Sequence, residues 1–385
     1  GMDEAHGVGL GEYYQKHGPV DRFELLTRHL NRVVDICKEL GFKPIMWSDM
    51  FYRLGSKIND YYDPEAVVPE SAIAQIPDVA LCYWDYYHTD EQFYAGMLEG
   101  HRKMGKEVVF AGGIWTWSGI LPHVRKTNAT MYPALRACLK AGIGTVLATS
   151  WGDDGCETDY RLALNQLPIY SEHVWMGENC TRAEVERMGE RLTGMSEACF
   201  NAMGAFYADD EDRRPGKGLF YCDPLYPLTE GLWDLTGYRE GLEEGVKTLE
   251  RHLDDSRCEY AWLAMRIALE KLNWVNELRP AYLRGDKAVV LAMANEKLPA
   301  MREVYVKMMS VWREQWESGR KRNGWETICA RLGAVIARLD DVQRILLRWA
   351  DGTIERVEEL DETPLPASRL CGRQDYHTMS FPQFR

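Results

Sequence analysis

Short apolar runs recur in the first 150 residues of the chain, and helical patterns separate them. The runs predict four buried β-strands, at Lys43–Trp47, Val79–Trp84, Glu107–Ala111 and Thr145–Thr149. One strand and one helix together occupy roughly 35 to 45 residues, as expected of repeated β/α units. Such alternation predicts a parallel sheet with right-handed crossovers, and therefore an α/β fold.

Capping residues and glycines set the predicted bounds of the helices between these strands. Helices are predicted from Pro19 to Gly41, from the N-cap Thr89 to Gly105, and over residues 131–140. The glycine-rich stretch 7–18 and the stretch from Trp47 to Pro64 are predicted to be loops.

The pattern changes at about Tyr170, where the strands cease. Long amphipathic helices follow, with apolar stripes over residues 260–278 and 332–349 that predict the core of a helical domain. Residues 215–218 are predicted to lie in a polar linker, because proline, glycine and lysine interrupt the periodicity there. The residues after Asp351 are predicted to be irregular or briefly extended.

Composition and charge exclude several classes of function. The net charge of -13 argues against a nucleic-acid or anionic-membrane partner, and no apolar run is long enough to span a bilayer. The ten cysteines include no Cys-x-x-Cys pair, which favours buried thiols in a reducing cytoplasm over a zinc site. No glycine-rich phosphate loop follows a strand, and the acids of 153–159 lack the spacing of a calcium loop, so we expect neither cofactor nor metal.

The residues with the strongest chemical character stand near the start of the chain and at the ends of the predicted strands. Asp3 and Glu4 are adjacent, and consecutive side chains share a pocket only where a strand ends and the chain bends. Tryptophans end or follow the strands at Trp47, Trp84, Trp115, Trp117 and Trp151, and Asp153 lies two residues after the last of these. The carboxyl ends of parallel strands are where β/α folds place their active sites.

Five blocks together carry a resemblance to a known family. They are Gly-Met-Asp-Glu-Ala-His, Trp-Ser-Asp, Tyr-Trp-Asp-Tyr-Tyr-His, Ala-Gly-Gly-Ile-Trp-Thr-Trp and Thr-Ser-Trp-Gly-Asp-Asp-Gly, in this order over about the first 160 residues. In these blocks the chain resembles glycoside hydrolase family 20, the exo-β-N-acetylhexosaminidases, and most closely the bacterial branch with a helical C-terminal domain. The resemblance implies the C-terminal half of a (β/α)8 TIM-type barrel over residues 1–170, from the end of strand four to strand eight. An all-α domain over residues 171–385 would follow it.

The resemblance also implies a retaining, substrate-assisted mechanism on glycans with a terminal β-linked N-acetylhexosamine. Glu4 would be the general acid and then the general base, and Asp3 would orient the substrate's acetamido group. Aromatic walls would be formed by Trp47, Trp84 and Trp151, with Trp115 or Trp117 completing them. Asp153 would accept hydrogen bonds from the outer sugar hydroxyls, and Tyr87, or its neighbour Tyr86, would contact the acetamido oxygen.

A chain that begins at the Asp-Glu pair would lack the first strands of the family's barrel. A half barrel exposes two sheet edges, so we expect a homodimer or another self-association that completes the barrel. The alternative is a truncated, catalytically inactive fragment that binds sugar or serves a structural role.

Overall fold

Four strands form one parallel sheet in the computed structural model, which describes residues 2–153, 155–209, 214–225 and 237–362. The strands are β1 (Ile45–Trp47), β2 (Ala80–Trp84), β3 (Val108–Gly113) and β4 (Val146–Thr149). They lie side by side in chain order, and every neighbouring pair is parallel. The four predicted strands and the mixed α/β class are therefore confirmed.

Helices account for most of the remaining described chain. The first nine are α1 (Gly11–His17), α2 (Arg22–Glu39), α3 (Asp49–Gly55), α4 (Glu70–Ile73), α5 (Glu91–Lys103), α6 (Val124–Ala141), α7 (Tyr160–Ala163), α8 (Pro168–Met176) and α9 (Arg182–Thr193). The others are α10 (Glu197–Met203), α11 (Pro215–Tyr221), α12 (Tyr238–Leu249), α13 (Ser256–Leu283), α14 (Lys287–Ala292), α15 (Leu298–Gly319), α16 (Trp325–Ala350) and α17 (Glu358–Asp361). The described helices are not long and apolar enough for any of them to cross a bilayer.

Local capping explains where the helices beside the sheet begin. The Asp21 side chain accepts the N–H groups of Phe23 and Glu24 at the start of α2. The cap of α5 is Asp90, whose carboxylate accepts the Gln92 N–H at 2.9 Å, and not the predicted Thr89. Either residue type can cap a helix, and the carboxylate one position later is the one that reaches a free amide.

Four segments differ from their predicted structure. The glycine-rich stretch holds α1, and the stretch after Trp47 holds α3, which buries Met50 and Phe51. The predicted linker is also wrong, because residues 215–218 begin α11, a helix that is buried along its whole length. The tail beyond Asp351 contains the short α17, and residues 363–385 lie outside the described part.

Contacts within the chain define two compact units. The first, here the sheet unit, comprises Gly1–Gly113, Asn128–Thr149 and Ile169–Thr181. The second, here the helical unit, comprises Ile114–Thr127, Ser150–Pro168 and Arg182–Arg385. The predicted domain boundary at residue 170 stays a prediction.

Each unit has its own apolar core. In the sheet unit, Val34 of α2, Phe51 of α3 and Phe110 of β3 are fully buried. In the helical unit, the predicted apolar stripes become the buried faces of α13 and α16, which pack with α15. The helical part predicted after the strands is therefore confirmed.

Candidate functional site

The Asp3-Glu4 pair lies in a turn of the sheet unit. The His6 N–H donates to the Glu4 carbonyl at 2.7 Å, and Glu4 itself has a φ of 49°. This left-handed conformation is uncommon outside glycine and indicates that the surrounding structure fixes the turn. Residues 2–6 form turns and not the end of a strand as expected; Asp3 is half-buried and Glu4 is exposed.

Asp49 fixes the backbone of this turn through a hydrogen bond. Its Oδ2 accepts the Glu4 N–H at 2.8 Å, and the indole of Trp84 also hydrogen-bonds to its carboxylate. Asp49 is buried, and its carboxyl has a pKa raised to about 6. Desolvation is the largest cause, and the charge of Asp3 acts in the same direction, whereas the two hydrogen bonds lower the pKa. The Trp-Ser-Asp block thus connects the end of β1 to the acid pair.

Tyr61 lies against the carboxylate side of the turn, and the sequence did not identify it. Its hydroxyl hydrogen-bonds to the Glu4 side chain and lies 3.1 Å from Nε2 of His6. Desolvation, followed by the charge of Glu4, raises the pKa of Tyr61 to about 12, so the hydroxyl keeps its proton and donates it. The only signal for it in the sequence is the Tyr61-Tyr62 pair, within a stretch that has no periodic pattern.

An aromatic cluster in the sheet unit includes Tyr61, whose hydroxyl bonds to the Glu4 side chain. Trp84, the last residue of β2, lies 5.6 Å from the Tyr61 ring and 5.5 Å from the stacked ring of Tyr86, measured between centroids. Tyr87 follows at 4.9 Å from Tyr86. Trp47, the last residue of β1, is half-buried. Asp3, Glu4, Trp84, Tyr86 and Tyr87 thus all lie in the sheet unit, and a single site formed by them stays a prediction.

Asp85 fixes the loop that carries these tyrosines. It is buried, accepts the Tyr87 N–H at 2.9 Å and the Tyr83 hydroxyl at 2.7 Å, and lies 2.7 Å from Nδ1 of His88. Because its two oxygens bind both backbone and side chains, the loop after β2 has little freedom. His88 thus has a structural contact with Asp85.

Uncharged polar side chains support the ends of β1 and β2. Ser48 Oγ contacts Nε2 of His101 at 2.8 Å and donates to the Cys82 carbonyl at 3.0 Å. The Trp84 N–H donates to the Tyr62 hydroxyl at 3.2 Å. Burial lowers the pKa of His101 to about 4, so the ring is neutral at physiological pH and supports the site without charge.

The other predicted residues lie in the helical unit. The rings of Trp115 and Trp117 stack at 4.4 Å between centroids, and both side chains are buried. Thr116 Oγ1 donates to the Trp151 carbonyl at 2.7 Å, which ties the two tryptophan segments together. Trp151 is half-buried and Asp153 is exposed. The structure thus links the segments that carry Trp115, Trp117 and Trp151 within this unit.

Within the described ranges, no three His, Cys, Asp or Glu side chains are grouped in a way that could hold a metal ion. The polar groups around Asp3 and Glu4 are suited to proton transfer and to hydrogen bonding with a neutral ligand, and the rings of the aromatic cluster to contact with an apolar surface.

Comparison with known proteins supports the class of glycoside hydrolases. Residues 203–378 match the family model described as the Glycoside Hydrolase 20C C-terminal domain. This match supports membership of glycoside hydrolase family 20, and it covers most of the helical unit but none of the candidate site residues. No curated protein matches the chain.

Proposed function

We propose that the chain is an exo-β-N-acetylhexosaminidase that removes terminal β-linked N-acetylglucosamine or N-acetylgalactosamine with retention of configuration. The carrying observation is the Asp3-Glu4 turn, which Asp49 holds beside Trp84. The family 20 match to the helical part supports the same class of enzyme. We also propose that the four parallel strands belong to a barrel of the (β/α)8 type, since consecutive parallel strands in chain order are its building pattern.

The proposed chemistry uses the substrate's own acetamido group. Its carbonyl oxygen attacks the anomeric carbon while Glu4 protonates the departing glycosidic oxygen, which gives a cyclic oxazolinium intermediate. Asp3 accepts the acetamido N–H and stabilises the positive charge of the ring. Glu4 then takes a proton from water, which attacks the anomeric carbon and reopens the ring. The Tyr61 hydroxyl, which hydrogen-bonds to Glu4, orients that carboxyl group.

Aromatic side chains supply the proposed binding surface. Trp47 and Trp84 would contact the acetamido methyl, and Tyr87 or Tyr86 the acetamido oxygen. An apolar sugar face and a methyl group both favour aromatic contact, and exclusion of water strengthens the charge interactions of the transition state.

The helical unit would contribute recognition of the terminal sugar. By the same resemblance, Trp151 would line the aromatic walls, with Trp115 or Trp117 completing them. Asp153, which is exposed, would accept hydrogen bonds from the outer hydroxyls of the terminal sugar.

The decisive test is hydrolysis of an aryl N-acetyl-β-glucosaminide by the chain, compared with Glu4→Gln and Asp3→Asn. Both variants keep the side-chain shape, and each should lower kcat by about a hundredfold or more, because a positioned acid-base group contributes on that order. Glu12→Gln is the matched control: Glu12 is an exposed acid on α1 that pairs with Lys16. NMR of the first product should show the β-anomer. Equal rates for Glu4→Gln and Glu12→Gln would exclude this mechanism.

A second function is favoured by one observation. Glu4 is exposed, whereas a general acid active near neutral pH is usually shielded from water. A sugar-binding chain without turnover would retain the aromatic surface and need no such shielding. Binding of N-acetylglucosamine, detected by tryptophan fluorescence, with no hydrolysis by a folded chain would favour this alternative.

A further inference from the structure

The segment that follows Asp153 is held by helices from the C-terminal part of the chain. It comprises residues 155–158 and lies within the helical unit. Its Cys156 N–H reaches the Asp153 carbonyl only at a long 3.5 Å, so local hydrogen bonding fixes its shape weakly. Thr158 Oγ1 donates to the Gly119 carbonyl at 2.6 Å, and further contacts come from side chains elsewhere in the helical unit.

Glu157 is the first point of attachment. Its side chain has no exposed surface, and Lys217 of α11, also fully buried, places Nζ 2.6 Å from Oε2. Arg331 of α16 donates to Oε1 at 2.8 Å, and the Tyr221 hydroxyl donates to the same oxygen at 2.6 Å. One buried carboxylate therefore connects the segment to two helices that are far away in sequence.

Arg320 is the second point of attachment, at the end of α15. Its guanidinium donates to the Cys156 carbonyl at 2.6 Å and to the Thr158 carbonyl. The same guanidinium lies over the rings of Trp316 and Tyr160, at 4.5 and 5.2 Å from their centroids. Packing between rings limits the rotamers of the arginine, so it holds both carbonyls in a fixed geometry.

The backbone of the segment depends on these contacts. Gly155 has a φ of 100° and Cys156 a φ of 52°, and the second value is uncommon for a residue with a side chain. A Cβ on Gly155 would lie 2.7 Å from Nη1 of Arg331, so the glycine makes room for the guanidinium. The segment and its arginine thus fit together.

We propose that Glu157, Arg320 and Arg331 are positioning residues through which the helices fix the Trp151–Asp153 segment for recognition of the terminal sugar. This inference rests on the proposed function for the role of Asp153. A buried ion pair is weak evidence for stability, because apolar residues often replace one without loss. The best-attested effect of a buried ion pair is to select one conformation. A loop that hydrogen-bonds to a neutral ligand needs such a fixed conformation.

Amide hydrogen exchange tests the positioning without any enzymatic activity. Arg331→Met leaves Glu157 paired with Lys217, and Arg320→Met removes the contacts to the two carbonyls together with the packing of the guanidinium on Trp316 and Tyr160. In both variants we expect the amides of residues 150–160 to exchange about tenfold faster or more, while α13 and α16 stay protected. Arg338→Met is the matched control, since Arg338 is also a partly buried arginine of α16 but pairs with Asp223 and Asp341.

Steady-state kinetics supply the second measurement. Loss of a binding contact at Asp153 should raise KM for the aryl glycoside about tenfold in Arg331→Met and change kcat by less than about twofold. Arg338→Met should change neither. Exchange in Arg331→Met and Arg320→Met that equals exchange in Arg338→Met, or that increases evenly over the whole helical unit, would overturn the proposal. If the wild-type chain does not hydrolyse the substrate, the proposed function fails, and the exchange result still decides whether these residues fix the segment.

Discussion

Asp49 shows how a single buried acid can link the sheet to a functional turn. It follows β1, accepts the Glu4 N–H and bonds to Trp84, yet it lies in a place where a carboxylate is poorly solvated. Such a group disfavours the folded state at neutral pH, and a costly buried acid beside a candidate catalytic pair suggests a functional role. The sequence presents Asp49 in a short block but gives no sign of its burial.

Asp49→Asn should stabilise the sheet unit at neutral pH. The folded-state pKa of about 6 exceeds the unfolded value of about 3.9, so between them the folded chain holds a proton that the unfolded chain has lost. Its contribution to stability is therefore most favourable below about pH 4 and is lost as the pH rises through 6, by about 3 kcal/mol in the limit. Urea unfolding at pH 4.5 and pH 7.5 measures the difference between wild type and variant.

The gain should be large at pH 7.5 and small at pH 4.5. An identical difference at the two pH values would show that Asp49 does not titrate in this range. Asp49→Ala is the companion variant, because it also removes the acceptor of the Glu4 N–H and should lose stability at low pH, where the aspartic acid still accepts that bond.

At the scale of elements, the strands were predictable because each is a short buried run between turn signals. The helical stripes of α13 and α16 were predictable for the same reason, since burial of one face leaves its period in the sequence. The segment 215–218 was not. A lysine is usually a surface residue, and the buried Lys217 pairs with Glu157, which is distant in sequence.

The candidate site also contains residues that the sequence identified and residues that it did not. Trp84 and the Asp3-Glu4 pair could be identified because they form blocks at a predicted strand end and a predicted bend. Tyr61 could not, because it lies in a loop whose fold depends on contacts with Glu4 and His6. Glu157 and its cations were missed because ion pairs between distant segments leave no periodic pattern.

Gly216→Ala tests the close packing of α11. A Cβ at this position would lie 2.5 Å from the Phe206 carbonyl oxygen and 2.8 Å from its ring, and the backbone cannot give way easily. We expect a loss of about 1 to 3 kcal/mol in the free energy of unfolding, the usual cost of overpacking. Calorimetry of the helical unit's transition measures it.

Gly241→Ala is the control for this prediction. Gly241 lies in α12, and its nearest neighbour to an added Cβ is the Ala205 methyl at 3.8 Å. This variant should gain up to about 1 kcal/mol, because alanine favours a helix interior over glycine. A similar loss in both variants would show that replacement of the glycine itself destabilises the helix. The contact with Phe206 would then not be the cause.

At the scale of the whole molecule, the edge of the sheet at β1 suggests self-association, which stays a proposal. Among the described strands β1 pairs with β2 alone, and Ile45 on it is 52 % exposed. Leu40 and Phe42, just before the strand, are 67 % and 66 % exposed. An exposed edge with neighbouring apolar side chains favours pairing with another chain, although Lys43 beside it opposes this.

Light scattering coupled to size exclusion should therefore show a dimer or larger species whose fraction rises with concentration. Ile45→Lys places a charge on the edge and should shift the chain toward the monomer. Ile58→Lys changes a residue that is 73 % exposed in a loop and should leave the distribution unchanged. A monodisperse wild-type monomer at all concentrations would contradict self-association.

The attachment of residues 155–158 also has a consequence for synthesis on the ribosome. Glu157 and Arg331 are 174 residues apart, and at about 5 to 20 residues per second the arginine is made on the order of 10 to 35 s after the glutamate. During that interval the Asp153 segment has left the ribosome without the guanidinium groups that order it. A segment made 174 residues before one of its anchoring side chains is therefore among the last to reach its final shape.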